Sequence, residues 1–506
     1  MTDTPAAPEA PHAAHPSAPQ QRVGPIIVSI GLLLLLASLD QTIVSTALPT
    51  IVADLGGLDH LSWVVTAYIL SSTVAAPLYG KAGDLYGRRN VIVLSVSLFL
   101  LGSALCGLAS SMGFLIFARA LQGFGGGGLF VLALSVIGDV IAPRDRGKVQ
   151  GVFAAVFGVS SVVGPLIGGL FVQNFSWNWI FYINIPIGGL AIAVFLASFR
   201  PVGRRATGGI DWLGAAFLSI GLAALTLFTS LGGRTLAWDA PAELALAAGA
   251  LLFLALFLWA ETRAPEPILP LWLFRRNVFW VTSVIGFIAG AAMFGAVTFL
   301  PLYLQISLGL SPTESGFMLI PMTVGILIAS TVAGRAMAAT GRYKWLPIAG
   351  TAVLGLAMLS LSRLQPDTPL WLFGTELVFV GLGMGCIFPV VTTAVQNAVP
   401  KEVLGTATAA GLLFRQVGGS LAVAAFGAMF TGGLAAALGG VQLPGEIGPA
   451  MVAGLDPALR DSVSLGVADA LRPIFLTAAV LAALGFLFSL VLEEVTLTNR
   501  RVPQGE

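Results

Sequence analysis

Charge is what this 506-residue chain has least of. Only 10% of its residues are Asp, Glu, Lys or Arg, against about 25% in a soluble globular protein. Hydrophobic residues make up 57% and the mean hydropathy is +0.92, so water is not its main solvent. A net charge of +1 offers nothing to nucleic acid. Histidine is scarce as well: His12, His15 and His60 form no metal-spaced cluster, and no metal site is expected. The two cysteines, Cys106 and Cys386, fall inside apolar runs, which points to free, packed thiols and not to a disulfide framework. A nucleotide loop and an acid-rich metal-diphosphate motif are also missing, which argues against a membrane-embedded enzyme.

What the chain has is long apolar runs. A helix crossing hydrocarbon needs about 20 mainly apolar residues, because each backbone N–H and C=O must bond inside the helix there. Counted on that basis there are about 14 spans. Residues 1–24, rich in Ala, Pro and His, are expected as a disordered tail, and 494–506 as a second tail. The first apolar run continues to Ile51 without a small-residue cleavage pattern, so it is expected to stay as a membrane helix and not to leave as a signal peptide. Lys and Arg gather in alternate loops: Lys81, Arg88 and Arg89, then Arg144, Arg146 and Lys148, then Arg200, Arg204 and Arg205, then Arg275 and Arg276, then Arg335, Arg342 and Lys344, then Lys401. The other side has little beyond Arg234, Arg460 and Arg472. The positive-inside rule then puts both termini in the cytoplasm.

The chain repeats itself. Gly80, Lys81, Gly87 and Arg88 recur as Gly334, Arg335, Gly341 and Arg342, an offset of 254 (334 minus 80). Leu48 and Pro49 recur as Leu300 and Pro301, and Pro143 as Pro400. Two like bundles in parallel orientation follow, at 25–199 and 278–493, with substrate expected near the midplane between them. Residues 200–277 form a linker with two inserted helices near 211–261 that have no counterpart in the repeat. The fold expected is an all-α polytopic membrane protein, six plus two plus six helices. An external segment at 434–472 is left open between an amphipathic hairpin and a plain loop.

Five motifs stand in order along the membrane part: LDQTIVSTALPTI at 39–51, GKAGDLYGRR at 80–89, RALQGFGGGG at 119–128, GVSSVVGPLIGG at 158–169 and WIFYINIPIG at 179–188. In this order they resemble the major facilitator superfamily, and within it the 14-span drug:proton antiporters of the EmrB/QacA type. The resemblance implies proton-coupled efflux of lipophilic, cationic compounds by alternating access across a bacterial cytoplasmic membrane. It implies no cofactor beyond the proton gradient. Its partners are a small-molecule substrate, protons and the bilayer, with a periplasmic adaptor left open. An exporter of an endogenous lipid, siderophore or metabolite would share the same motifs and differ in cavity lining.

Each motif has a physical reading beside a plainer one. Asp40 lies roughly 22 Å along the first helix, where a carboxylate is costly. Either it binds and releases protons in exchange for substrate, or it makes a packing hydrogen bond near Ser38 and Thr42. Arg119, about 9 Å into the fourth helix, cannot lose its proton. The resemblance implies that it assists proton transfer at the acid of the first helix; the alternative is an arginine snorkelling toward headgroups. Glu376, in the twelfth span, is expected to line the central cavity as a second protonation site or to bond a neighbouring helix. Arg415 is left between backbone carbonyls and Glu376.

In the 80–89 loop, Gly80, Gly83 and Gly87 allow close approach, and Asp84 is suited to cap a helix N-terminus while pairing with an arginine such as Arg88 or Arg89. Such a latch would hold the cytoplasmic gate; the second copy has Ala338 at the acid's place. Gly158, Gly164, Pro165, Gly168 and Gly169 clear one face of the fifth helix and kink it, which the family associates with antiport. Trp63, Tyr68, Phe157 and Tyr182 are candidate cavity aromatics, or interface anchors. Arg over Lys and abundant Ala and Gly suggest a GC-rich bacterial genome.

Overall fold

A computed structural model describes residues 23–56, 60–200, 208–233, 235–437 and 457–497. Among them the backbone is helical, with one isolated bridge between Gly232 and Leu236. The N-terminal bundle comprises α1 (Val23–Leu55), α2 (Leu61–Tyr86), α3 (Arg88–Gly107), α4 (Met112–Val140), α5 (Pro143–Asn174) and α6 (Trp179–Ser198). The inserted pair is α7 (Trp212–Leu231) and α8 (Pro241–Glu261). The C-terminal bundle comprises α9 (Asn277–Leu302), α10 (Ile320–Thr340), α11 (Trp345–Leu361), α12 (Leu370–Ala398), α13 (Leu404–Ala437) and α14 (Pro457–Val491). Thirteen of these helices are long and apolar enough to cross a membrane. The fourteenth, α11, is a shorter apolar helix of 17 residues.

Helix ends follow local chemistry. Gly87 takes φ +88° between α2 and α3, a backbone that a side chain would strain, so the chain turns there in one residue. Asp211 caps α7 by accepting from the Gly214 N–H, and Pro143 opens α5, where its missing donor costs nothing. The segment at 434–472 departs from expectation. α13 runs on to Ala437 and α14 begins at Pro457, so only 438–456, outside the described residues, is left between them. Val463, Val467 and Leu471 are buried at four-residue spacing, an apolar stripe that extends α14 although its charged neighbours lower the local hydropathy. Ser307 and Ser464 exchange reciprocal bonds at 2.9 Å to dock this extension on the end of α9's π-turn.

The two bundles meet along two seams related by the repeat. At one, a Cβ on Gly80 of α2 would lie 2.9 Å from the Gly405 carbonyl oxygen of α13. At the other, a Cβ on Gly334 of α10 would collide with the Gly147 carbonyl of α5. Gly334 is the repeat partner of Gly80, so the same absence of a side chain brings backbones together on both sides. The inserted pair covers the first seam. Leu218 and Leu222 of α7 share an apolar cluster with Val395 of α12 and Ala407 and Ala410 of α13, against which Val74 and Leu78 of α2 also pack. Lys81 of α2 reaches Glu266, after α8, at 3.3 Å.

Gly334→Ala should therefore lower the thermal unfolding temperature of the detergent-purified protein, by an overpacking cost of about 1–3 kcal/mol. Gly169→Ala, whose Cβ meets nothing within 4 Å, should leave it unchanged or slightly raised. Equal effects would refute the seam assignment.

Candidate functional site

Within the N-terminal bundle, five helices converge on one carboxylate. Asp40 of α1 is fully buried. Its Oδ2 accepts from Arg119 Nη1 at 2.7 Å, and its Oδ1 accepts from Gln122 Nε2 at 2.7 Å and Asn184 Nδ2 at 2.8 Å. Gln122 and Asn184 also donate to Ser103 Oγ of α3, whose hydroxyl in turn donates to the Phe181 carbonyl. Arg119 is held from two more directions: Nε donates to the Val64 carbonyl of α2 at 3.2 Å, and the guanidinium lies 4.4 Å over the Tyr68 ring. A lone ionised group in this setting would be very costly; a pair with its remaining lone pairs filled is tolerated.

The glycine run of α4 makes this convergence possible. Gly123 and Gly127 lie against the α2 backbone at Tyr68 and Ser72, and Gly125 against α3 at Ser95 and Phe99. α4 is thus pressed into the groove between its neighbours, one to two turns beyond Arg119. On α5, Cβ atoms at Gly164 and Gly168 would strike Thr42 and Thr46 of α1, and one at Gly158 would strike Thr323 of α10. Thr42 donates to the Ser160 carbonyl at 3.1 Å, and Pro165 sits inside the helix. The motif face thus packs on Asp40's own helix and across the second seam; Gly169 faces open space.

The second cluster lies at the basic end. Asp84 of α2 pairs with Arg88 at 2.6 Å and accepts the backbone N–H groups of Gly405 and Thr406 at 3.0 and 2.8 Å. Those two donors belong to the first turn of α13, whose N–H groups lack intrahelical acceptors and whose dipole favours an anion. One carboxylate therefore ties the two bundles. Arg88 Nε also binds Asp139 of α4 at 2.9 Å. Arg89 takes no part: it donates to the Leu196 carbonyl near the end of α6. At the second seam, where Ala338 replaces the acid, Arg144 donates to the Ala339 carbonyl instead. Deeper in, Gln396 of α12 donates to the Leu134 carbonyl of α4 at 2.9 Å, a further tie between bundles.

Other candidates are dispersed. Glu376 accepts from Ser360 of α11, and its Oε2 has no partner among the described residues. This contact repeats the Gln122 to Ser103 bond of the other bundle, 376 minus 122 being 254 and 360 minus 103 being 257. Arg415 does not reach Glu376; its guanidinium lies 5.1 Å over the Phe388 ring. Of the four aromatics, the three whose side chains are described have different surroundings, and none lines the cleft beside Arg415. Tyr68 is inside the Arg119 network, Tyr182 packs edge-on to Trp179 and against Gly107 of α3, and Trp63 sits partly buried at the start of α2. The Phe157 side chain lies outside the described residues.

Sequence reasoning overlooked Gln122, Asn184, Ser103, Asp139 and Glu266. Gln122 had a signal, standing one turn from Arg119 on the same face, and Asp139 is an acid in an otherwise apolar helix end. Ser103 had none.

The sequence pattern described as Major Facilitator Superfamily matches residues 30–423. An uncharacterised MFS-type transporter of Mycobacterium tuberculosis is 41% identical over 471 residues, which cover 92% of this chain and 69% of that protein. The multidrug transporter protein MdtP of Bacillus subtilis is 36% identical over 515 residues, covering 94% of each. Two solved structures share the fold at a TM-score of 0.63. The human organic anion transporter MFSD10 is 16% identical, with 93% of this chain and 100% of that one covered. The proton:xylose symporter XylE is 14% identical, with 94% and 97% covered.

Asp40→Asn or Arg119→Gln alone leaves one buried charge unpaired and should destabilise by on the order of 3–5 kcal/mol. The double variant should recover much of that loss. A double-mutant cycle in thermal unfolding measures the coupling; additive losses would mean that the pair is not an energetic unit.

Proposed function

We propose that this chain, which belongs to the Major Facilitator Superfamily, is a proton-coupled efflux transporter that exports lipophilic small molecules by alternating access. The observation that carries this reading is the buried Asp40 and Arg119 pair, one acid and one cation joined in the bundle interior with Gln122 and Asn184 in attendance. The motif order and the names of relatives such as MdtP support placing it in the 14-span drug:proton antiporter branch. The basic loops face the cytoplasm under the positive-inside rule, with both termini on that side of a bacterial cytoplasmic membrane.

The cycle follows from the contacts. A proton taken from the outer side onto Asp40 removes its negative charge and with it the ionic part of Arg119's hold. Arg119 and Gln122 ride on α4, and Asp139 rides on the same helix, twenty residues or roughly 30 Å from Arg119. Asp139 grips Arg88, Arg88 grips Asp84, and Asp84 grips the start of α13. A small shift of α4 therefore reaches the latch through three charge contacts. When the latch opens, the cavity faces the cytoplasm, the proton leaves, and substrate enters from that side. Re-forming the ion pair and the latch closes the basic end again, which is the arrangement of the contacts described above.

The test uses proteoliposomes with a trapped pH dye and lipophilic compounds of both charges. The intact protein should move protons when substrate is added, and Asp40→Asn should bind substrate without moving protons. Asp84→Asn, which keeps the shape of the side chain, should raise the labelling, from the basic side, of a cysteine that replaces the buried Thr406. Absence of substrate-driven proton movement in the intact protein would overturn the reading.

A further inference from the structure

Beside the first seam, α9, α12 and α13 border a partly open cleft lined by Gly286, Phe388, Thr392, Thr408, Leu412 and Arg415. Leu412 also packs onto the cluster of Ala76, Val131 and Ala409, so the cleft adjoins the N-terminal bundle. Arg415 lies roughly 16 Å along α13 from its basic end. Its guanidinium stands over Phe388, and among the described residues it has no hydrogen bond or ion pair.

Arg415 is partly exposed, whereas the buried arginines are provided for: Arg88 by Asp84 and Asp139, Arg119 by Asp40, Arg146 by the Gly138 and Ile141 carbonyls. No acid lines the cleft to attract a cation, although one oxygen of Glu376, elsewhere on α12, lacks a partner among the described residues. Asp40 is held by Arg119, Asp84 and Asp139 by Arg88, and Glu376 faces Ser360 on α11. What remains at the cleft is a planar cation with five N–H donors, a fork that matches carboxylate or phosphate oxygens in pairs.

We propose that Arg415 binds the anionic head, a carboxylate or phosphate, of an amphiphilic substrate whose apolar body lies along Phe388. This rests on the efflux reading above and reverses the charge expected of its substrate from the sequence. It also changes the driving force. Exchange of one inward proton for one outward monovalent anion carries two positive charges inward, so the membrane potential drives it as well as the pH gradient; exchange for a monovalent cation carries none.

The test measures binding to the full chain in phosphatidylcholine nanodiscs, with 1-pyrenebutyrate and a trimethylammonium probe bearing the same ring. The anion should bind tighter than the cation by about tenfold or more. Arg415→Gln should abolish that preference while cation binding persists, which also reports an intact cleft, and Arg415→Lys should restore part of it. Should Arg415→Gln fail to fold, the probe preference of the intact protein and of Arg415→Lys decides alone. A preference for the cation, or an Arg415→Gln protein that binds both probes as before, overturns the proposal. Repeating the titration with phosphatidylglycerol in the nanodisc separates two sources of the same chemistry. Competition assigns the site to a lipid headgroup, and unchanged binding assigns it to a free amphiphile. In proteoliposomes, proton movement with neither probe sinks the efflux reading, whereas movement with the cation alone sinks only the anion site.

Discussion

A charge that cannot reach water must find its partner inside the protein, and this chain is arranged around that requirement. Asp40 and Arg119 are buried together, and the lone pairs left over are filled by Gln122 and Asn184. Five helices contribute to that one cluster, so the position of each is tied to the others by short polar contacts and not by apolar packing alone. Apolar packing inside a bilayer discriminates weakly between arrangements, because lipid tails are as apolar as the side chains. Polar contacts between helices specify which neighbours meet.

At the basic end the same requirement joins the two bundles. Asp84 satisfies Arg88 on its own side of the seam and two orphan N–H groups of α13 on the other. The contact is available only because Gly80 and Gly405 let the helices come within backbone distance. Across the pseudo-symmetric seam, Gly334 and Gly147 give the same close approach without the acid. One seam is thus charge-latched and the other is sealed by shape, a division that suits a protein in which one side releases when a charge changes. The inserted pair sits on the latched seam, with Lys81 and Glu266 adding a third attachment.

Internal duplication extends below the level of whole helices. Gln122 with Ser103 and Glu376 with Ser360 are the same contact in the two bundles, yet among the described residues only the N-terminal copy has an arginine paired with a carboxylate beside it. The N-terminal bundle therefore holds a complete charge pair. The C-terminal bundle holds a buried acid bonded to Ser360 and, on a different helix, a cation at the seam cleft.

Much was legible from the amino-acid order. Apolar runs of helical length, the alternation of basic loops and the offset of 254 prescribe a doubled helical bundle with an inserted pair, because backbone groups in hydrocarbon have no other way to be satisfied. Asp40, Arg119 and Asp84 stand out for the same reason: an ionisable residue in such a run is expensive enough to be noticed. The partners of those residues were not legible. Asn184, Ser103 and Asp139 lie between 19 and 144 residues from the groups they serve, and a short polar side chain in an apolar helix carries no mark of the direction in which it points. Nor could composition show that Tyr182 packs on α3 while Tyr68 lies under Arg119, or that Arg415 and Glu376 belong to different places. Element type and membrane topology depend on local chemistry summed along the chain. The identity of neighbours depends on which faces the close glycine contacts press together, and that is settled only when the helices are packed in three dimensions.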